Sequence, residues 1–148
     1  MGDVTVSVII DAAPDDIWEY LEQVERHVEW MADAESIRFQ DEQHRGVGTK
    51  FACATKIGPV RLTDRMEITE WEPSRAMSVE HAGLVTGTGT FRIEPVNAVS
   101  SRVTWTESLT FPWFLGGRLG EKVGGATVLS AVWRRNLRRL KVRVEAGA

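Results

Sequence analysis

Cys53 is the only cysteine in this 148-residue chain. An internal disulfide and a cysteine-rich metal site are both excluded. Positive charge is not in excess either. The 18 basic residues face 21 acidic ones, a net charge of −3, so nucleic acid is not an expected partner. No apolar run approaches the ~20 residues that cross a bilayer, which argues against an integral membrane association. The first stretch, MGDVTVSVII, lacks the basic region and cleavage site of a secretory signal, and a cytoplasmic location is the expectation. Repeats, low-complexity tracts and linkers are missing too, so one domain is expected over 1–148. No HExxH or CxxC occurs, and Gly87-Thr88-Gly89 lies inside a strand pattern with no helix after it, unlike a nucleotide loop. Neither a metal nor another cofactor is expected.

What is present is an ordinary globular composition, 43% apolar and 26% charged, in an order of elements that carries information. Val4, Val6, Val8 and Ile10 alternate with polar or smaller residues, as in a strand with one buried face. Pro14 suits a first helical position, Asp15 and Asp16 suit a first turn, and Ile17, Leu21 and Val24 recur at helical spacing. A second short helix is predicted over 27–31. Strands are predicted over 36–41, 49–56, 60–71, 75–81, 85–95 and 101–111, broken by turn residues at Gly46, Gly48, Gly58-Pro59, Pro73-Ser74, Gly83 and Asn97. No helical pattern separates them, so the sheet is antiparallel and built from hairpins. A long amphipathic helix is predicted from 120 or 121 to about 145, with Ala126, Leu129, Trp133, Leu137, Leu140 and Val144 in one stripe. A sheet that wraps one long helix generally leaves a cavity between them.

That order resembles the START-related SRPBCC superfamily, in particular its polyketide cyclase/dehydrase and lipid-transport branch. The resemblance rests on VSVIIDAAPDDIWEYLEQV at 6–24, Glu29-Trp30, GVGT at 46–49, ITEWEP at 68–73, GTGTFRIEP at 87–95 and VTWTE at 103–107. It implies an α+β helix-grip fold: a curved seven-stranded antiparallel β-sheet around a long C-terminal helix, with two short helices after the first strand. Its members include lipid and polyketide binders, aromatase/cyclases, quinone-binding chaperones and toxin-like proteins, so the shared fold leaves the function open.

Alternation then tells which side chains face the interior. Leu62, Met66 and Ile68 put the even positions of the 60–71 strand inward, with Asp64 among them. Met77 and Val79 put the odd positions of 75–81 inward, and His81 shares their side. Val85, Gly87, Gly89, Phe91 and Ile93 form the next inward set, and Val103, Trp105, Glu107, Leu109 and Phe111 the last. Phe51 and Cys53 face in from 49–56. Three ionisable groups therefore stand at inward positions, and buried charges are costly unless paired. A tight hairpin at Pro73-Ser74 allows two registers that keep both apolar faces inward. One sets Asp64 opposite His81 and the other sets them diagonally, within side-chain reach either way. Pairing around Asn97 sets Glu107 opposite Gly89, which leaves space rather than packing.

Two readings of Asp64, His81 and Glu107 are open. In one they satisfy one another, or Arg65 and Arg102, or His81 sits at a wet strand end. In the other they form the polar end of a cavity lined by Trp30, Phe51, Met66, Met77, Phe91, Trp105 and Leu129. There His81 serves as a general base or binds a ligand oxygen, Asp64 sets its tautomer, and Glu107 polarises a carbonyl or binds a hydroxyl. The same apolar residues would also suit a closed core. Three functions fit this pattern. The first is binding or transport of a small hydrophobic or amphipathic ligand such as a lipid, polyketide or isoprenoid. The second is a polyketide cyclase, aromatase or dehydratase using the same cavity, and the third a toxin-like or protein-interaction module. Trp113 and Phe114, beside Gly116 and Gly117, form either a hydrophobic gate or a staple for the helix. The last helix carries Arg134, Arg135, Arg138, Arg139, Lys141 and Arg143, which is either a solvated face or a peripheral contact for an anionic surface.

Overall fold

The computed structural model describes residues 2–110 and 126–147. Seven strands form one antiparallel sheet: β1 (Gly2–Ile10), β2 (Ala34–Phe39), β3 (Lys50–Ile57), β4 (Val60–Glu72), β5 (Ala76–Ala82), β6 (Thr86–Pro95) and β7 (Ser101–Thr110). Their spatial order is β1-β7-β6-β5-β4-β3-β2. Consecutive strands from β2 to β7 pair as hairpins, while β1 closes the far edge on β7, with Val6 opposite Trp105 and Val8 opposite Val103. The long helix α2 (Ala126–Glu145) packs its apolar stripe onto the inner face. This is the helix-grip architecture.

The first helix, α1 (Pro14–Leu21), starts on Pro14 with Asp15 and Asp16 in its first turn, as expected, and buries Ile17, Trp18, Tyr20 and Leu21. The next element is a six-residue 3-10 helix over Val24–Glu29 rather than a helix over 27–31. Two local facts explain the shift. Gln23 leaves helical geometry (φ −83°, ψ 81°), which ends α1 before the second turn can join it. The His27 side chain then bonds the carbonyl of Leu21 through Nε2 at 2.7 Å, filling an acceptor that the end of α1 leaves open.

Leu129, Trp133, Leu137, Leu140 and Val144 are all buried, so the stripe read from spacing is the packed face of α2. Asn136 is buried among them, fully enclosed. Its amide donates to Asp33 Oδ1 at 2.7 Å and its carbonyl oxygen accepts from the amide of Ala32 at 3.0 Å, so a polar residue on the apolar face ties α2 to the turn before β2. Arg139 donates to the Glu29 carbonyl, and Lys141 to the carbonyl of Ile9. Those cations anchor the helix, while Arg134, Arg135 and Arg138 face solvent. No helix among the described residues is long and apolar enough to cross a membrane. The predicted helix start, the glycines at 116, 117, 120, 124 and 125, and Phe111, Trp113 and Phe114 lie outside the described residues.

Candidate functional site

The β4–β5 hairpin decides between the two expected registers. Met66 stands opposite His81, so Asp64 is the diagonal neighbour of His81. A bulge between Ile68 and Glu70 absorbs the offset before the turn at Pro73-Ser74. Diagonal placement suits the pair, because a carboxylate reaches back along its strand to a ring. His81 Nδ1 lies 2.7 Å from Asp64 Oδ2.

Glu107 is on β7, two strands from His81. Strands spaced by ~4.8 Å put those backbones roughly 10 Å apart, with β6 between them. The two side chains still meet, His81 Nε2 to Glu107 Oε2 at 3.1 Å. They meet because β6 carries glycine where a side chain would intervene. Gly89 pairs with Glu107 and Gly87 with His81. A Cβ on Gly89 would stand 2.7 Å from the Glu107 carboxyl atoms. One on Gly87, whose φ is +131°, would stand 1.9 Å from the Ser108 carbonyl oxygen. Trp105, two residues before Glu107 on the same face, donates its Nε1–H to Glu107 Oε1 at 3.1 Å.

The result is a relay of carboxyl, imidazole and carboxyl across four strands. Its side chains are 14% (Asp64), 6% (His81) and 8% (Glu107) exposed. Burial alone would push the imidazole down, but hydrogen bonds and charge from Asp64 and Glu107 outweigh it and raise His81 to about 10. Both ring nitrogens are engaged, Nδ1 with Asp64 and Nε2 with Glu107, an arrangement that favours the protonated ring.

These residues close one end of an internal cavity of about 110 Å³. Phe51, Met66, Met77, Phe91 and Trp105 line it, as the alternation placed them, with Leu129 from the apolar stripe of α2 and with Asp64, His81 and Glu107. Trp30 does not. It is fully buried behind the wall, its ring 5.7 Å from Phe91 and 5.9 Å from Trp105, so it backs the lining aromatics. The reason is the 3-10 turn, which carries Trp30 past the cavity and leaves His27, three residues earlier, on its wall.

His27 and Asp33 are site residues that sequence reasoning missed. His27 repeats the apolar spacing from Val24, a signal that could have found it, while Asp33 sits in a turn with no periodicity to place it. Burial pushes the His27 imidazole down to about 4, so it is neutral, with Nε2–H donated to Leu21. Burial raises the Asp33 carboxyl above its ordinary value; the Asn136 amide opposes this, and charge on Asp64 adds to it. Burial likewise holds the Cys53 thiol up at about 11, which leaves it a poor nucleophile. Among the described residues no group of three or more His, Cys, Asp or Glu is arranged to hold a metal ion.

A family model described as polyketide cyclase / dehydrase and lipid transport matches residues 1–145. The chain belongs to that family. Solved structures share the fold at low identity. A protein from Thermus thermophilus superposes with a TM-score of 0.82 at 18% identity, covering 99% of each chain. The ZhuI aromatase/cyclase from Streptomyces sp. R1128 gives 0.74 at 19%, covering 99% of this chain and 98% of its own. A START superfamily protein from Mycobacterium smegmatis gives 0.77 at 13%, covering 99% of each. Among curated proteins, none matches. Membership in the family and the START-like fold are thus established, and the family spans both binding and cyclase chemistry.

Proposed function

We propose that this family member binds a small hydrophobic or amphipathic ligand in the cavity between sheet and α2. The observation that carries this reading is an apolar cavity held open by glycine at one end, where a buried ionisable cluster replaces packing. Apolar walls supply affinity at ~25 cal/mol per Å² removed from water, and the polar end sets orientation. Size limits the guest. Ligand pockets are ordinarily ~300–1,000 Å³, so about 110 Å³ suits one small ring or a short chain. A full lipid or an extended polyketide would have to displace lining side chains.

Cyclisation or dehydration in the same cavity is the second reading, favoured by an ionisable cluster in a cleft. The cluster's internal hydrogen bonds count against it in the form first expected. Both His81 nitrogens and both Glu107 oxygens are engaged, so proton abstraction would fall to Asp64, whose Oδ1 has no partner among the described residues. Displacement of an apolar fluorescent probe by a graded panel of small aromatics, isoprenoids and lipids tests the binding reading. Displacement by the small members, with native mass spectrometry showing one guest per chain, is the expected result. A panel that displaces nothing, with no co-purifying molecule, would sink it.

A further inference from the structure

The polar atoms on the cavity wall divide into those with a protein partner and those without. His81 spends both nitrogens on Asp64 and Glu107. Trp105 spends its N–H on Glu107, and Thr55 its hydroxyl on the Cys53 sulfur. The Leu21 carbonyl can only accept, so His27 must carry its proton on Nε2 and present Nδ1 as a lone pair. No hydrogen bond from the described residues reaches that Nδ1. Asp64 Oδ1 is buried and has no donor among the described residues either. On the wall, Asp64 Oδ1 and His27 Nδ1 are thus unfilled acceptors, while the buried donor without a partner among the described residues, Trp30 Nε1, stands behind the wall. Two carboxyl groups flank the His81 ring, and Asp33 adds a third carboxyl on the wall. The remaining wall is aromatic, with Phe91, Trp105 and Trp133, and aromatic faces attract cations.

We propose that the guest of this cavity is a hydrogen-bond donor, a small protonated amine on an apolar body, with its N–H groups on Asp64 Oδ1. The proposal rests on the binding reading above and sharpens it. A neutral hydroxyl would satisfy Asp64 more weakly, and an acidic or purely carbonyl ligand would set acceptor against acceptor.

Four molecules of one shape separate the possibilities: ethylbenzene, phenethyl alcohol, phenethylamine and phenylacetate, titrated into the protein at neutral pH by calorimetry or NMR. Ethylbenzene reports on the container alone. The expected order is phenethylamine, then phenethyl alcohol, then ethylbenzene, with phenylacetate last and the amine about tenfold or more tighter than ethylbenzene. Asp64→Asn should bring the amine down to the alcohol. If ethylbenzene binds and the amine gains nothing, water serves Asp64 and the amine assignment is overturned while the container stands. Phenylacetate equal to the amine overturns it as well. If none of the four binds, both readings fall. The order on the wild-type protein decides the matter even if the variant does not fold.

Discussion

Along β4, Ile68 and Asp64 face the same way and meet opposite surroundings. Ile68 is fully buried in a packed end, with Ile93 from β6, Val103 from β7 and Leu137 and Leu140 from α2 in the same core. Asp64, four residues earlier, lines the hollow end with His81, Glu107 and Gly89. The helix divides likewise: Leu137 and Leu140 fill the packed end, while Leu129 and Trp133 border the cavity. One sheet and one helix thus build two environments. In the packed end each buried Leu or Ile contributes ~1.5–3 kcal/mol. In the hollow end glycine on β6 removes packing atoms and three ionisable groups add a desolvation cost, offset by hydrogen bonds and paired charge. Inward orientation alone therefore does not make a core.

Truncation should separate the two ends most clearly. Leu137→Ala should cost ~2–5 kcal/mol of unfolding free energy in urea, because a fully enclosed side chain leaves a void. Met66→Ala, beside space that already exists, should cost clearly less. Equal losses would mean that the hollow end is packed as tightly as the other.

Next in size is the pH dependence, which probes the hollow end through its charges. His81 is raised from 6.5 to about 10, so the folded state binds its proton more tightly than the unfolded chain. Its stabilising contribution is complete below about pH 6.5 and is lost as pH rises through about 10, and it amounts to a few kcal/mol at ~1.4 kcal/mol per unit. His27 has the opposite sign. Lowered to about 4, it stays neutral in the fold while the unfolded chain takes up a proton, so stability falls as pH drops from 6.5 towards 4. Thermal melts between pH 4 and 10 should decline on both sides of neutrality. His81→Gln should flatten the alkaline side and His27→Gln the acid side. An alkaline decline unchanged in His81→Gln would remove His81 as its source.

Smallest is Gly89→Ala, an added methyl group worth ~1–3 kcal/mol of overpacking. Its Cβ falls on the Glu107 carboxyl, which must leave His81. An NMR titration should then show the His81 pKa falling well below about 10, since one of its two carboxyl partners is gone. An unmoved pKa would show that the glycine is not what lets those side chains meet.

Much of this was legible in the chain. Two-residue alternation assigned Asp64, His81 and Glu107 to the interior, hairpin geometry set Glu107 against Gly89, and helical spacing marked Leu129, Trp133, Leu137, Leu140 and Val144. Trp30, Asp33 and Asn136 were not legible in their roles. Trp30 was expected on the cavity wall and stands behind it, because a 3-10 turn rotates side chains differently from the helix its spacing suggests. Asn136 interrupts an apolar stripe for a partner, Asp33, that is 103 positions away.

Order along the chain is enough to set periodicity, and with it the seven strands, the buried stripe of α2 and the side of the sheet on which each side chain lies. Those properties depend only on near neighbours in sequence. Which inward groups meet is settled in the folded molecule. His81 reaches Glu107 across a strand that has no side chain there, Asp64 is left with an unfilled oxygen, and His27 turns its ring to the cavity. Such meetings depend on the distance between strands, and on what is missing between them.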